Sequence, residues 1–295
     1  MIRVVNLSPA IDITYELPKV ELGESQRIER VIRVPGGKGV NVARIIHAGG
    51  RPVQLLLPLG GESGAWIERE LCKQLINLRK LDIVAESRSC VTVVATETTV
   101  LNEPPAEIAE SEYEELLKLL AERSQTTVLS GSLPGNLSEE QISQLFQTLR
   151  DSSENLIVDT SGTALIAAAA AGADMLKPNR VEAIDATAAS DPQLAAKQLI
   201  ELGAGAVLLS DGENGAALVR EGKMLRAKSR HVSGNPTGAG DAMVAIVAVA
   251  AAEGSDDEML LRRAVAAGSL AVVERVAGII NWDLLEGIAT KVEVS

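Results

Sequence analysis

Two rhythms of apolar and polar positions run through the chain. The first is a set of short β-rich runs: Ile2 to Leu7, Val53 to Leu57, Thr126 to Ser130, Leu156 to Asp159, Met175 to Lys177 and Ala206 to Ser210. Runs of this kind are expected of strands buried on both faces. Between them lie stretches of helical length. One follows Pro35-Gly36-Gly37-Lys38-Gly39 and reaches Ala48; others span Ser63 to Leu75 and Glu112 to Glu122. Another is capped by Ser138, with Glu140 and Gln141 as capping partners, and runs to Leu149. Strands alternating with helices at these lengths predict a mostly parallel α/β sheet with helices on both faces, and a site beyond the carboxyl ends of its strands.

The second rhythm is alternation. Ile13 to Leu17 and Gln26 to Val34 alternate apolar and polar residues, as half-exposed antiparallel strands do, and Cys90 to Ala95 followed by Thr98 to Leu101 is a similar piece. They predict a small β-sheet lid inserted into the main domain. The main domain then takes residues 1–8, 35–87 and 104–295, and the lid 9–34 and 88–103.

The longest apolar run, Ala242 to Ala252, comes directly after Gly234-Asn235-Pro236-Thr237-Gly238-Ala239-Gly240-Asp241. This reads as a tight loop opening into a buried helix, whose free N–H groups and positive dipole end hold an anion without a basic side chain. Asp241 falls in the first turn, where an acid either favours the helix start or does chemistry. The run is well short of the roughly 20 residues that cross a bilayer. Residues 1–8 also lack the apolar core of a signal peptide, so a cytoplasmic protein is expected.

Composition narrows the function classes. Aromatics make up 2% of the 295 residues, with Phe146 the sole Phe, and the formal charge is -12. A nucleic-acid partner needs stacking surfaces and a basic excess, and neither is present. Cys72 and Cys90 form neither a disulfide framework nor a zinc spacing with His47 and His231, and a reducing compartment is expected. Cys72 reads as a helix core position, Cys90 as a strand residue, both histidines as structural or surface residues, and Trp66 and Trp282 as packing anchors. Ser255-Asp256-Asp257-Glu258 reads as the cap of the next helix.

Three further clusters each carry two readings. Gly36-Gly37-Lys38-Gly39-Val40-Asn41 is not a P-loop, since its spacing before the Lys is wrong, and is either a turn or an anion site at a helix start. In Lys177-Pro178-Asn179-Arg180-Val181-Glu182, Asn179 and Glu182 share one face of a first helical turn, either as a capping box or as a pair acting on hydrated Mg²⁺. Ser210-Asp211-Gly212-Glu213-Asn214-Gly215 is a hairpin turn or a nucleotide contact.

Taken together and in order, Gly37-Lys38-Gly39-Val40-Asn41-Val42-Ala43, Gly131-Ser132-Leu133-Pro134, Asn179-x-x-Glu182 and Thr237-Gly238-Ala239-Gly240-Asp241 resemble the motifs of the ribokinase-like PfkB carbohydrate kinases. Ser8 to Asp12, Gly23 to Arg27 and Leu101 to Pro104 are similar to the branch containing 1-phosphofructokinase and tagatose-6-phosphate kinase. The chain departs from that branch at Asn6-Leu7-Ser8-Pro9 and Ser87-Arg88-Ser89, where Leu-Asn-Pro and Thr-Arg are usual. The resemblance implies a ribokinase-like fold and ATP-dependent phosphorylation of a hexose phosphate, with fructose 1-phosphate favoured over tagatose 6-phosphate and fructose 6-phosphate. It implies Asp241 as general base, with Gly238, Ala239 and Gly240 in the anion hole. It implies Mg²⁺ at Asn179 and Glu182 through water, and nucleotide contacts at Lys177, Ser210, Gly212, Gly215, Thr237, Gly268 and Ser269. Asp12, Gly37 and Asn41 then position the sugar, and Arg27, Lys38, Arg88 and Ser132 take its phosphate. The one-sided lid strands imply a homodimer through the lid. The competing readings are a kinase of an unphosphorylated sugar or nucleoside, and a non-catalytic sensor of sugar phosphate or nucleotide.

Overall fold

The two rhythms separate into two sheets in the computed structural model, which describes residues 1–230, 232–274 and 276–295; His231 lies outside them. The chain begins with β1 (Ile2–Val5), β2 (Ala10–Glu16), β3 (Arg30–Gly36), α1 (Lys38–Ala48), β4 (Val53–Leu59), α2 (Gly61–Lys73) and β5 (Asn77–Asp82). It continues through β6 (Arg88–Val94), β7 (Thr98–Asn102), α3 (Glu110–Leu120), β8 (Ser124–Ser130), α4 (Glu139–Ser152), β9 (Ser153–Asp159), α5 (Gly162–Ala170) and β10 (Met175–Leu176). Then come α6 (Arg180–Thr187), α7 (Pro192–Glu201), β11 (Val207–Ser210), β12 (Ala216–Arg220) and β13 (Lys223–Lys228). The last elements are α8 (Ala239–Glu253), α9 (Asp257–Val272), α10 (Trp282–Ala289) and β14 (Glu293–Val294).

Among the described residues the large sheet has ten strands in the order β14-β13-β12-β11-β10-β9-β8-β1-β4-β5. From β11 to β5 every pair is parallel, and β12, β13 and β14 close one edge antiparallel. One aliphatic core lies under α1, α2, α8, α9 and α10, the other under α3, α4, α5 and α7. Burying both faces is what makes the parallel strands read as β-rich runs without alternation. Ser138 caps α4 and exchanges hydrogen bonds with Gln141, and Asp256 caps α9.

The second sheet has the order β3-β2-β6-β7. The alternating rhythm predicts antiparallel pairing, and β2–β3 and β6–β7 follow it, but β2 and β6 run parallel. Partners close in sequence return as hairpins. The joint between β2 and β6 is made across β3, α1, β4, α2 and β5, so loop geometry does not impose its direction. Gln26 to Glu29, predicted as strand, lie in the loop before β3. Two further expectations change. Helix α2 ends at Lys73, and Leu75 takes a left-handed backbone with φ 58. Cys72, predicted as core, is exposed, because the buried stripe of α2 runs through Gly64, Ile67 and Leu71, and the next position points away from it. His47 is exposed, whereas Trp66 and Trp282 pack against the core as expected.

Candidate active site

At the carboxyl ends of neighbouring parallel strands, Asn6, Ser130, Asp159 and Lys177 stand in register, with Ser210 level with Asn179, and together they form the floor of the candidate site. Ser210 ends β11, Lys177 follows β10, Asp159 ends β9, Ser130 ends β8 and Asn6 follows β1. Asp159 is fully buried. Its carboxylate accepts from Ser130 Oγ at 3.1 Å and lies 3.4 Å from Lys177 Nζ and 3.5 Å from Lys38 Nζ. Burial pushes this acid up, but the two ammonium groups and the hydroxyl outweigh burial and hold its pKa below the usual value.

Helix α8 aims its N-terminus at this floor. Its cap Gly238 sits at φ 87, where a Cβ would also lie 2.8 Å from Ala277 Cβ, so only glycine fits the turn. At Gly240 a Cβ would be 2.9 Å from Lys177 Nζ, which places that amine directly beneath the turn. The turn consumes two of its own amides. Thr237 N donates to Asn235 Oδ1 and Ala239 N to Pro236 O, leaving the Gly238, Gly240 and Asp241 amides without acceptors among the described residues.

Asp241 is buried and its Oδ2 accepts from Asn41 Nδ2 at 2.8 Å. Burial, then the charge of Asp159, raises its pKa to about 6, against the opposing pull of Asn41, Lys38 and Lys177. A carboxylate tuned toward neutrality can take a proton near pH 7. Lys38 bridges Asp159 and Glu182, at 3.5 Å from each, so the amine that the sequence assigns to the acceptor phosphate is drawn to the two carboxylates. Burial lowers its pKa, but Asp159, Glu182 and Asp241 more than reverse that.

Asn179 and Glu182 form a complete capping box on α6, each accepting the other's backbone N–H at 2.8 Å. The capping alternative therefore describes their local geometry. The other Glu182 oxygen, Oε1, lies 3.5 Å from Lys38 Nζ. Among the described residues no group of three or more His, Cys, Asp or Glu side chains forms a direct metal cage.

Across the cleft, Asp12 on β2 accepts the Gly37 N–H. Burial raises its pKa to about 6, opposed by Arg44, by that hydrogen bond and by Arg88. Arg88 Nη1 donates to Glu103 O at 2.8 Å, while its Nε is buried without an acceptor. Ser132 is exposed just past β8, and Arg27 is exposed in the loop before β3. On the other side, Gly212 and Gly215 bound the turn of the β11–β12 hairpin, and Ser210 bridges to Asn179. Gly268 packs α9 against Met243, and the Ser269 hydroxyl donates to Val265 O within its own helix.

The sequence reading missed Asp159, Asn6 and Arg44. Asp159 had a signal, a carboxylate closing an otherwise apolar buried strand. Arg44 lies three residues after Asn41 and so shares its helix face.

An open helix N-terminus with an acid in its first turn and two ammonium groups beneath it is the arrangement of a small-molecule phosphotransferase. The chain belongs to the pfkB family of carbohydrate kinases, whose family profile matches residues 5–283. It is a kinase of a sugar or sugar-phosphate hydroxyl; members of this family use ATP, generally with Mg²⁺. Similar solved structures include the tetrameric inhibited form of phosphofructokinase-2 from Escherichia coli, 28% identical, with TM-score 0.90 over 98% of each chain. A possible 1-phosphofructokinase from Thermotoga maritima is 19% identical, with TM-score 0.83 over 100% of this chain and 98% of that one. Arabidopsis thaliana ribokinase, complexed with ribose and ATP, is 20% identical, with TM-score 0.73 over 97% of this chain and 98% of that one. No described helix is long and apolar enough to cross a membrane.

Proposed function

We propose that this kinase transfers the γ-phosphoryl group of ATP to a hydroxyl of a hexose phosphate, with Asp241 as general base. The observation that carries this reading is the Asp241 carboxylate, buried at the mouth of an open helix N-terminus and oriented by Asn41. The acceptor hydroxyl gives its proton to Asp241 as its oxygen bonds to the γ-phosphorus, and the bond to the ADP oxygen breaks. The free amides of Gly238, Gly240 and Asp241, with Lys177 below, face the charge on the transferred oxygens. The nucleotide lies along Ser210, Gly212, Gly215, Thr237, Gly268 and Ser269. Glu182 and Asn179 would hold Mg²⁺ through water, and the ion would supply neutralisation of phosphate charge there.

Asp12, Gly37 and Asn41 position the acceptor ring, and Arg27, Arg88 and Ser132 its phosphate, with Lys38 between phosphate and floor. Arg27, Lys38 and Arg88, a local set of cations in a chain of formal charge -12, support an anionic acceptor over a free sugar. Among phosphosugars, the sequence features favour fructose 1-phosphate. The 28% identical Escherichia coli phosphofructokinase-2, solved with fructose-6-phosphate, moves fructose 6-phosphate ahead of it. In a coupled ADP-release screen, turnover is expected on sugar monophosphates and not on free sugars. Arg88→Ala and Arg27→Ala are expected to raise KM for the phosphosugar about tenfold or more each, the loss of one charge-assisted contact. Unchanged efficiency in both variants defeats the phosphate-site assignment.

The lid also carries exposed Val31, Val94, Val100 and Leu101, apolar area that a second copy of the chain would cover. A homodimer is expected in light scattering at micromolar concentration, and a monomer there overturns the lid interface.

A further inference from the structure

Behind the base, a chain of polar side chains leads away from the cleft. Arg44 Nε donates to Gln74 Oε1 at 2.9 Å, at the C-terminal end of α2. Arg44 Nη1 reaches Asn41 Oδ1 at 3.5 Å, and Asn41 Nδ2 reaches Asp241 Oδ2 at 2.8 Å. Asn41 is buried and Arg44 half-buried. The turn at Gly278 closes over both: at φ 84, a Cβ there would lie 2.9 Å from Asn41 Oδ1 and 3.3 Å from Arg44 Cδ.

An amide has two faces of opposite hydrogen-bonding sense. With Nδ2 toward Asp241, Asn41 stabilises the carboxylate; reversed, Oδ1 would face it and favour the protonated acid. We propose that Arg44 is a positioning residue that holds the Asn41 amide with its donor toward Asp241, braced by Gln74, and so keeps the base ionised at working pH. This rests on Asp241 being the base.

Three features support the assignment. The guanidinium offers donors in two directions from one rigid plane, one to Gln74 and one to Asn41, which a lysine cannot do. Arg44 has no carboxylate within ion-pair distance among the described residues, although Asp12 is close enough to oppose the lowering of its pKa, to about 10, by burial. An ion pair alone therefore does not account for a cation at this place. The charged groups around Asp241 are Asp159 from β9, Lys38 from α1 and Lys177 after β10; around Arg44 they are Asp12 from β2, with Arg88 from β6 beyond it. None of these orients the Asn41 amide.

The test is the pH profile of kcat for wild type, Arg44→Met, Arg44→Lys and Gln74→Leu, with ATP and fructose 6-phosphate. The wild type is expected to lose activity through an acidic limb. In Arg44→Met that limb is expected to move up by about half to one pH unit, the worth of one hydrogen bond to the base. Arg44→Lys keeps a charge opposite Asp12 but lacks donors in two fixed directions, and is expected to show the same shifted limb. Gln74→Leu is expected to shift it the same way but less, and stands in if Arg44→Met does not fold. A limb unmoved in both Arg44→Lys and Gln74→Leu, whatever happens to thermal stability, overturns the positioning role. If Asp241→Asn retains wild-type turnover, the base assignment fails instead, and the two failures are distinguishable.

Discussion

Asp241→Asn is expected to lower kcat about a hundred- to ten-thousand-fold, the usual worth of a positioned general base, while leaving KM for both substrates within a few-fold. The substitution keeps the side chain's shape and its place in the first turn of α8, so the expected loss lies in proton transfer and not in folding. The same residue sets the pH dependence. Its folded-state pKa, raised to about 6, puts the active ionised form above that pH, so kcat rises through an acidic limb near 6 and levels off toward neutrality. In Asp241→Asn the residual rate should lose that limb. Rapid-quench measurement of the phosphoryl-transfer step separates it from product release; an unchanged transfer rate removes Asp241 from the chemistry.

Asp159→Asn has the largest expected effect on stability. Asp159 and Lys177 are almost completely buried, with side-chain exposures of 0% and 4%, and Lys38 shares the same carboxylate. Removing one partner of a buried pair strands the other charge, typically at a cost of about 3–5 kcal/mol. The sign follows from the depressed pKa of Asp159. Its contribution is fully present above the pKa of the unfolded chain, about 4, and fades as pH falls through the folded-state value. Urea unfolding at pH 7 should therefore show the deficit, and the gap between wild type and variant should narrow in acid. A difference under about 1 kcal/mol at pH 7 would mean that the lysines are compensated elsewhere. A second consequence distinguishes Asp159 from Arg44. Asp159 raises the pKa of Asp241, so its neutralisation should move the acidic limb of kcat to lower pH, the reverse of the shift expected for Arg44→Met.

Much of the site was legible because its signals are local. A glycine-rich turn before an apolar run announces an open helix start, and Asp241 sits where the sequence puts it, in the first turn of α8. Asn179 and Glu182 are likewise readable as one helical turn, and they share a capping box. Residues whose partners are distant were not readable. Lys38 meets Asp159 across 121 positions and Glu182 across 144, and Asn41 meets Asp241 across 200. From α1 alone, Lys38 is an amine beside glycines, equally suited to a sugar phosphate. What directs it to two carboxylates is the order β10-β9-β8-β1, which brings the ends of those strands under the start of α1. Cys72 shows the limit of periodicity, since one step of about 100° along a helix separates core from solvent.

Sequence by itself therefore determined the α/β alternation, the presence of a second sheet, the glycine-rich helix start and the family to which the chain belongs. All of these depend on the spacing of neighbouring residues. Tertiary structure alone decided the parallel joint in the second sheet, the burial of Asp159 between two lysines and the line of contacts from Gln74 through Arg44 and Asn41 to Asp241. The physical reason is that periodicity reports which face of an element is buried, whereas the charge and protonation of a buried group depend on what other elements bring against it.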